Sequence, residues 1–351
     1  MTDAARRHFT SIDALRGFAA LAVVLFHLGG GGLPKLNSPL TTQMTSWGWT
    51  GVEVFFVISG FVIPFVMLKG DYRWKDGGQF LARRLIRIWP PSVILIALTV
   101  LQYAAINHLG QGDPQGWTKL SVAGIAANLF YVVPFTGQNW LNGVLWTLAV
   151  EFQFYLFLAL AFPLLTAHRA WLWVAGVASL LTALFPFAEV AMFLKYAIYF
   201  AMGGVTLLFR EGRIGRGALL SVLALMTLVA TVQLGWLPSI FAAGTALAIG
   251  FVPIRNRPFI FLGTISYSLY LTHILIASTA EFFLVRVFGP DTAIERFAGQ
   301  LVCLGMTIIG AWLFYLLVER HFVTWSQSFA GHVARRREQL QVQEIIPSEG
   351  M

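Results

Sequence analysis

An ionisable stripe runs along one apolar segment near the start of the chain. The segment SIDALRGFAALAVVLFHLGG, residues 11–30, carries Asp13, Arg16 and His27. In an α-helix, Arg16 and His27 are separated by three turns plus roughly 20°, which places them on one face about 16 Å apart along the axis. Asp13, three residues before Arg16, shares that face. Such a stripe could bind an anion at its arginine end and accept a proton at its histidine end.

A purely structural role for the same three residues also fits the pattern. Asp13 would cap the helix, Arg16 would reach the inner headgroups, and His27 would reach the outer ones. Ionisable groups inside membrane helices usually line a functional site, and here three of them share one face. We therefore favour a functional stripe over separate anchors.

Other apolar segments supply polar side chains that could meet this stripe. Glu53 enters the outer end of its segment, so we expect it to lie level with His27 and to hold the imidazole in one tautomer. A buried Glu151 needs a partner or a proton. Hydroxyl groups at helical spacing can also be plain interhelical contacts. The set, within GVEVFFVISGF, GVLWTLAVEFQFYL and GTISYSLYLTH, is Glu53, Ser59, Thr147, Glu151, Tyr155, Ser266, Tyr270 and His273.

A cluster of arginines precedes two prolines in FLARRLIRIWPPS. Arg83, Arg84 and Arg87 stand before Pro90 and Pro91. We expect them on a juxtamembrane helical turn, with Arg83 and Arg87 on one face. Such a group can anchor a protein on anionic lipid. Its forked donors can equally form a clamp for a ligand with several phosphates that arrives from the cytosol.

The composition places these residues in a membrane protein. The chain has 351 residues, of which 57% are hydrophobic and 11% are charged, whereas soluble domains carry roughly 25% charged residues. Runs of about 20 apolar residues recur along it, and each is long enough to span a bilayer. We predict an all-α polytopic integral membrane protein with about ten transmembrane helices. The predicted spans are 11–29, 49–69, 88–106, 143–165, 170–187, 192–209, 217–234, 236–252, 259–285 and 297–318.

The distribution of basic residues predicts the orientation of these helices. Lysine and arginine accumulate on the cytoplasmic side of membrane proteins. Placing both termini in the cytoplasm collects most of the 24 lysines and arginines there, and it accounts for the net charge of +8 without a nucleic-acid partner. The apolar segment 120–134 is short and ends at Pro134, so we expect it at the interface or re-entrant.

The same reading predicts three regions in the chain. Residues 1–10 are expected to be a cytoplasmic N-terminus, 11–320 a single membrane domain, and 321–351 a mobile cytoplasmic tail. The single cysteine, Cys303, excludes an intramolecular disulfide and a cysteine metal cluster.

Five motifs in this order resemble the membrane acyltransferase-3 family. They are Arg16 and His27 separated by ten residues, EVFFVISGF, RRLIRIWP, LWTLAVEFQFYL and GTISYSLYLTH. The resemblance implies ten helices and the transfer of acyl groups, most often acetyl, from cytosolic acyl-CoA. The acceptors it implies are hydroxyls of surface glycans, lipopolysaccharide, peptidoglycan precursors, lipid-linked sugars or exported small molecules. A bacterial inner membrane and the branch of the family without a fused hydrolase-like domain are the matching expectations.

With that resemblance, the candidate residues take expected roles. His27 would be the general base, or a transient acyl-carrying nucleophile, oriented by Glu53 or Glu151. Arg16 would hold the acyl-CoA, and Asp13 would orient Arg16. The arginines assisting at the cytosolic mouth would be Arg83, Arg84 and Arg87. The supporting residues would be Ser59, Trp146, Tyr155, Ser266, Tyr270 and His273. We expect acyl-CoA as a co-substrate, no tightly bound cofactor and no metal.

Two readings from other functional classes are compatible with the same residues. In a transporter, the stripe and the buried glutamates would form a proton or anion relay. In a membrane scaffold, the polar groups would only hold helices together. Substrate flux without acyl-CoA would favour the transporter, and a loss of assembly on replacing His27 would favour the scaffold.

Overall fold

The computed structural model describes residues 3–31, 33, 35–108, 120–166 and 192–329, and within these ranges the chain forms helices and turns without a strand. Short 3-10 turns connect some of the helices. The α-helices are α1 (Asp3–Phe26), α2 (Pro39–Thr45), α3 (Gly51–Lys69), α4 (Gly77–His108), α5 (Val122–Leu129), α6 (Leu145–Thr166), α7 (Met192–Arg210), α8 (Arg216–Leu234), α9 (Trp236–Phe251), α10 (Arg257–Thr264), α11 (Ser266–Phe288) and α12 (Ala293–Phe314).

Two π-helical turns extend the ends of long helices. His27–Gly31 continues α1, and Tyr315–Glu319 continues α12. After the second π turn the helical path runs on to residue 329. Such turns insert one extra residue into the helical ladder and recur at functional sites. Both begin or end at an ionisable residue, His27 in one and Glu319 in the other.

The prediction of an all-α polytopic membrane protein is confirmed. Eight helices in the described ranges are long and apolar enough to cross a bilayer. The predicted span 236–252 is the shorter helix α9, and the predicted span 170–187 lies outside the described residues. The helix α5 has eight residues, a length of about 12 Å, which is too short to cross the bilayer. Segment 120–134 is therefore not a span, as expected.

The predicted span 259–285 is wrong at its beginning. The helix is interrupted at Ile265, whose ψ of 9° ends α10 before α11 starts. The physical reason lies in α10, which packs backbone to backbone against α1. A Cβ on Gly17 would overlap the carbonyl oxygen of Phe259, and one on Gly263 would overlap that of Asp13. Small residues at such crossings let two helices approach closely.

The arginine cluster lies inside a helix and not on a separate juxtamembrane turn. Helix α4 runs without a break from Gly77 through Pro90 and Pro91 to His108. Prolines remove backbone donors, and neighbouring side chains can restore hydrogen bonds to the carbonyls around them. The hydroxyl of Tyr267 donates to the carbonyl of Ile88 over 2.6 Å, which ties α11 to this part of α4.

A glycine crossing positions α3 in the bundle. A Cβ on Gly60 would overlap the carbonyl oxygen of Phe200, and one on Gly203 would overlap that of Val57. Helices α3 and α7 therefore touch through their backbones at this point. Because Ser59 precedes Gly60 directly, the crossing also fixes where Ser59 meets the other helices.

We predict that Gly203→Ala destabilises the protein by about 1–3 kcal/mol, because the added methyl group must push α3 and α7 apart. Gly244→Ala is the matched control, since nothing lies within 4 Å of a Cβ there. Thermal unfolding of the detergent-solubilised protein measures both. Equal melting temperatures for the two variants would contradict the close crossing.

Candidate functional site

A cavity of about 300 Å³ lies between α1, α3, α4, α6 and α11. By area most of its wall is apolar, and eleven of its twenty lining residues contribute polar or charged groups; apolar walls with converging polar groups are usual in binding sites. Along α3 the lining extends from Val52 to Ile63, which is about 16 Å at 1.5 Å per residue. The polar and charged lining residues are Asp13, Arg16, Ser59, Arg84, Arg87, Thr147, Glu151, Tyr155, Ser266, Tyr267 and Tyr270.

Three arginines occupy one end of this cavity. Arg16 comes from α1, whereas Arg84 and Arg87 come from successive turns of α4. Within the described ranges, none of the three guanidinium groups forms a salt bridge or donates a hydrogen bond to the protein. The Arg84 guanidinium lies over the ring of Tyr155, 5.5 Å from its centroid. Unpaired forked donors in a cavity are suited to a phosphate ligand.

The third residue of the predicted clamp lies elsewhere. Arg83 is absent from the cavity lining, and its carbonyl accepts a hydrogen bond from the hydroxyl of Ser326. Arg83 therefore does not share the cavity wall with Arg87, and its expected part in the clamp stays a prediction. Because the helix is continuous, the face towards the cavity selects the i, i+3 pair of Arg84 and Arg87.

Glu151 lies in the middle of the cavity wall. Its Oε1 accepts hydrogen bonds from the hydroxyl of Tyr155 at 2.5 Å and from that of Ser59 at 3.3 Å. Its charge also interacts with Arg16 and Arg84. This carboxylate is therefore a partner of the arginine end, and the expectation that it orients His27 is not met in this structure.

Tyr270 closes the opposite end of the cavity and connects it to a pair of histidines. Its hydroxyl is 2.8 Å from that of Thr147, and its ring packs against Phe55. Its carbonyl oxygen lies 2.6 Å from Nδ1 of His273. The ring of His273 is in turn 5.0 Å from the ring of His27, measured between centroids.

Glu53 is a buried carboxylate near the start of α3. Its Oε2 has no hydrogen-bond partner among the described residues, and neither a hydrogen bond nor an ion pair joins it to His27 there. Its charge acts on Tyr196 and Tyr199 of α7 and on Tyr270 of α11. The expected hydrogen bond between Glu53 and His27 is not formed among the described residues, and the orienting role of Glu53 stays a prediction.

Gln300 and Glu281 hold the segment that follows His27, and the sequence reasoning missed both. The Gln300 amide nitrogen is within hydrogen-bond distance of the carbonyls of Leu28 and Leu36, at 3.3 and 2.9 Å. The Glu281 carboxylate accepts from the backbone N–H groups of Lys35 and Leu36. A lone polar residue inside an apolar span was the available signal for each.

Glu319 is a third buried group that the sequence reasoning missed. It is 3% exposed, and it accepts hydrogen bonds from the backbone N–H and the hydroxyl of Ser268. Its charge interacts with Arg16 and Arg87. Glu319 is the last residue of the π turn that follows α12. From there its carboxylate supplies a counter-charge to the arginines.

The other predicted residues divide between the cavity and its surroundings. Asp13, Ser266 and Tyr270 line it with the arginines. Trp146 lies outside the lining and packs edge-on against Phe56. Of the predicted residues, His27 and His273 lie beyond the Tyr270 end. The cavity can therefore hold a polyanion at one end and an extended group that points towards two imidazoles at the other.

Comparison with known proteins identifies related sequences. A family model described as an acyltransferase domain matches residues 9–316. O-acetyltransferase OatA of Staphylococcus aureus (strain NCTC 8325 / PS 47) is 32% identical over 176 residues, which are 46% of this chain and 26% of that protein. Peptidoglycan O-acetyltransferase OatA of Listeria monocytogenes serovar 1/2a is 30% identical over 176 residues, covering 43% of this chain and 24% of that protein.

These matches cover only part of each relative. This chain spans about a quarter of the length of the curated relatives that it matches. No solved structure matches it.

We predict that Gln300→Met destabilises the protein by about 1–3 kcal/mol, because it leaves buried carbonyls without a donor. It should also reduce the ordering of the His27 segment, seen as faster amide hydrogen exchange at residues 27–31. Gln43→Met, at an exposed position of α2, is the control for the loss of an amide. Unchanged exchange in Gln300→Met would contradict a holding role.

Proposed function

This chain belongs to the acyltransferase-3 family, and on that premise we propose that it is a multi-pass membrane O-acetyltransferase that uses cytosolic acetyl-CoA. The observation that carries the proposal is one cavity with three guanidinium groups at one end, none of them salt-bridged within the described residues, and with Tyr270 at the other end against a pair of histidines. A donor with several phosphates and a long flexible arm fits such a cavity. The acyl group would then arrive at the end of the cavity opposite the phosphates.

The proposed donor site is the arginine end. Arg16, Arg84 and Arg87 contact the phosphates of acetyl-CoA, and bidentate N–H···O bonds give the contact its orientation. Asp13, Glu151 and Glu319 keep the cluster of like charge in place while the site is empty. The arm of the donor lies along α3 and carries the thioester towards Tyr270.

The proposed chemistry takes place at His27. One ring nitrogen accepts the proton of an acceptor hydroxyl as the hydroxyl oxygen attacks the thioester carbonyl carbon. The C–S bond breaks, and the proton on His27 passes to the departing CoA thiolate. Transfer through an acyl-imidazole on His27 is a second route with the same residue at its centre.

The proposed acceptor is a glycan hydroxyl on the outer side of a bacterial cell membrane. The printed name of the Listeria monocytogenes relative assigns that protein to peptidoglycan, and cell-wall glycans offer sugar hydroxyls beyond the bilayer. In the predicted topology the His27 end of α1 faces outwards and the Arg16 end faces the cytosol. The acyl group would thus cross the membrane while the rest of the donor stays inside.

We predict that His27→Ala lowers acetyl transfer by about 10²–10⁴-fold, because a positioned base contributes that much to hydroxyl attack. Transfer of labelled acetyl from acetyl-CoA to muropeptides by purified protein in proteoliposomes measures it. His321→Ala, an exposed histidine on the helix after α12, should keep wild-type activity. A near wild-type rate for His27→Ala would refute the assignment, and substrate flux without acetyl-CoA would support the transporter reading.

We predict that Arg84→Gln and Arg87→Gln each weaken acetyl-CoA binding by about 10- to 100-fold, since a hydrogen bond to a charged group contributes about 1.5–3 kcal/mol. Arg83→Gln is the matched control, because this neighbour does not line the cavity. Titration calorimetry of the solubilised protein gives the three dissociation constants. An equal loss at all three positions would indicate a general surface charge effect and not a cavity clamp.

A further inference from the structure

The hydrogen bonding of His273 determines which of its ring nitrogens carries a proton. Nδ1 lies 2.6 Å from the carbonyl oxygen of Tyr270. A carbonyl oxygen only accepts, so Nδ1 must be the donor. The side chain is fully buried, and a charged imidazole without a counter-ion is costly in such surroundings. The ring is therefore neutral, with a lone pair and no proton on Nε2.

This Nε2 atom is an unused acceptor. It is buried and has no hydrogen-bond partner among the described residues. Buried polar atoms without a partner are rare in folded proteins. The neighbouring ionisable ring is that of His27, with 5.0 Å between centroids and 45° between ring planes. A hydrogen bond between the two rings requires a rotation of the His27 ring that turns one of its nitrogens towards Nε2.

We propose that Nε2 of His273 accepts a hydrogen bond from a ring N–H of His27 and so fixes the other His27 nitrogen as the base for acetyl transfer. The inference rests on the proposed function and deepens it. His273 takes the orienting role that the sequence suggested for a glutamate, and it acts through His27 as a positioning residue.

The proton count balances with a neutral His273 throughout. The hydroxyl proton of the acceptor moves to the free nitrogen of His27, and the new imidazolium keeps its second N–H on the lone pair of His273. The proton on the free nitrogen then leaves with the CoA thiolate. His273 gains no proton and loses none, because its Nδ1 keeps its proton and donates it in the hydrogen bond to the Tyr270 carbonyl.

A pair of amide substitutions separates this role from packing. His273→Asn places an amide nitrogen near Nδ1 and keeps the bond to Tyr270, but it removes the acceptor at Nε2. His273→Gln places an amide oxygen near Nε2 and keeps an acceptor for His27. We expect kcat to fall about 10- to 100-fold in the Asn variant, as for second-layer partners of functional histidines, with KM for acetyl-CoA unchanged. The Gln variant should recover most of this loss.

Two kinetic outcomes would overturn the inference. One is an Asn variant with wild-type kcat. The other is an equal loss in both variants, which would mean that only the shape of the side chain matters.

A spectroscopic test works without substrate and does not depend on either variant folding. The protein with ¹⁵N-labelled histidine should show Nε2 of His273 as an unprotonated, hydrogen-bonded nitrogen. His27→Ala should shift it to the position of a free unprotonated nitrogen. A protonated Nε2 overturns the inference, and so does an Nε2 signal that does not change in His27→Ala. If the Nε2 signal shifts in His27→Ala but the wild-type protein transfers no acetyl group, the proposed function fails and the inferred hydrogen bond stands. If the wild-type protein transfers acetyl but the Nε2 signal does not shift, only the inferred hydrogen bond between His27 and His273 fails.

Discussion

Three positively charged side chains lie close together in this bundle, because Arg16, Arg84 and Arg87 line the same cavity. Two unit charges 4 Å apart interact by about 4 kcal/mol at an effective dielectric constant of 20. A folded chain can keep such a cluster only if carboxylates or a ligand balance it. Glu151 and Glu319 supply carboxylates from two further helices, and each is itself held by hydroxyl donors. The arrangement balances the arginines while leaving their donors available to an anion.

Close backbone crossings make that arrangement possible. At Gly17 and Gly263, α1 touches α10, and at Gly60 and Gly203, α3 touches α7. These contacts fix the depth at which Arg16 and Ser59 enter the cavity. Polar anchors do the same at the other end, where Gln300 and the carboxylate on α11 tie down the chain that follows His27. The result is a packed frame with arginines at one end of the cavity and two histidines beyond its Tyr270 end.

The sequence predicted those features that depend on one helix at a time. Apolar run length predicted the helical membrane fold, and the 3.6-residue period placed Arg16 and His27 on one face. The sequence did not predict features that depend on the rotational orientation of one helix relative to another. Spacing alone favoured Arg83 with Arg87, whereas the direction of the cavity selects Arg84. The expected depth of each residue in the membrane pointed to a glutamate beside His27. The ring that lies beside His27 is that of His273 on α11.

The break between α10 and α11 illustrates the same limit. No proline or charged residue marks Ile265, and the segment 259–285 is apolar enough to read as one span. The interruption follows from the contact of α10 with α1, which is a property of the assembled bundle. Lone polar residues in apolar runs, such as Glu281 and Gln300, were visible in the sequence, whereas Glu319 stands beside Arg320 and His321. Their partners became identifiable only with the packed structure.

The most direct measurement is an electron cryo-microscopy structure of the protein in lipid nanodiscs with bound CoA. The account predicts phosphate density between Arg16, Arg84 and Arg87, with the arm of CoA running along α3 and its thiol end directed at Tyr270 and the histidine pair. Phosphates bound at the membrane surface near Arg83, with the cavity filled by lipid or left without the donor, would contradict it.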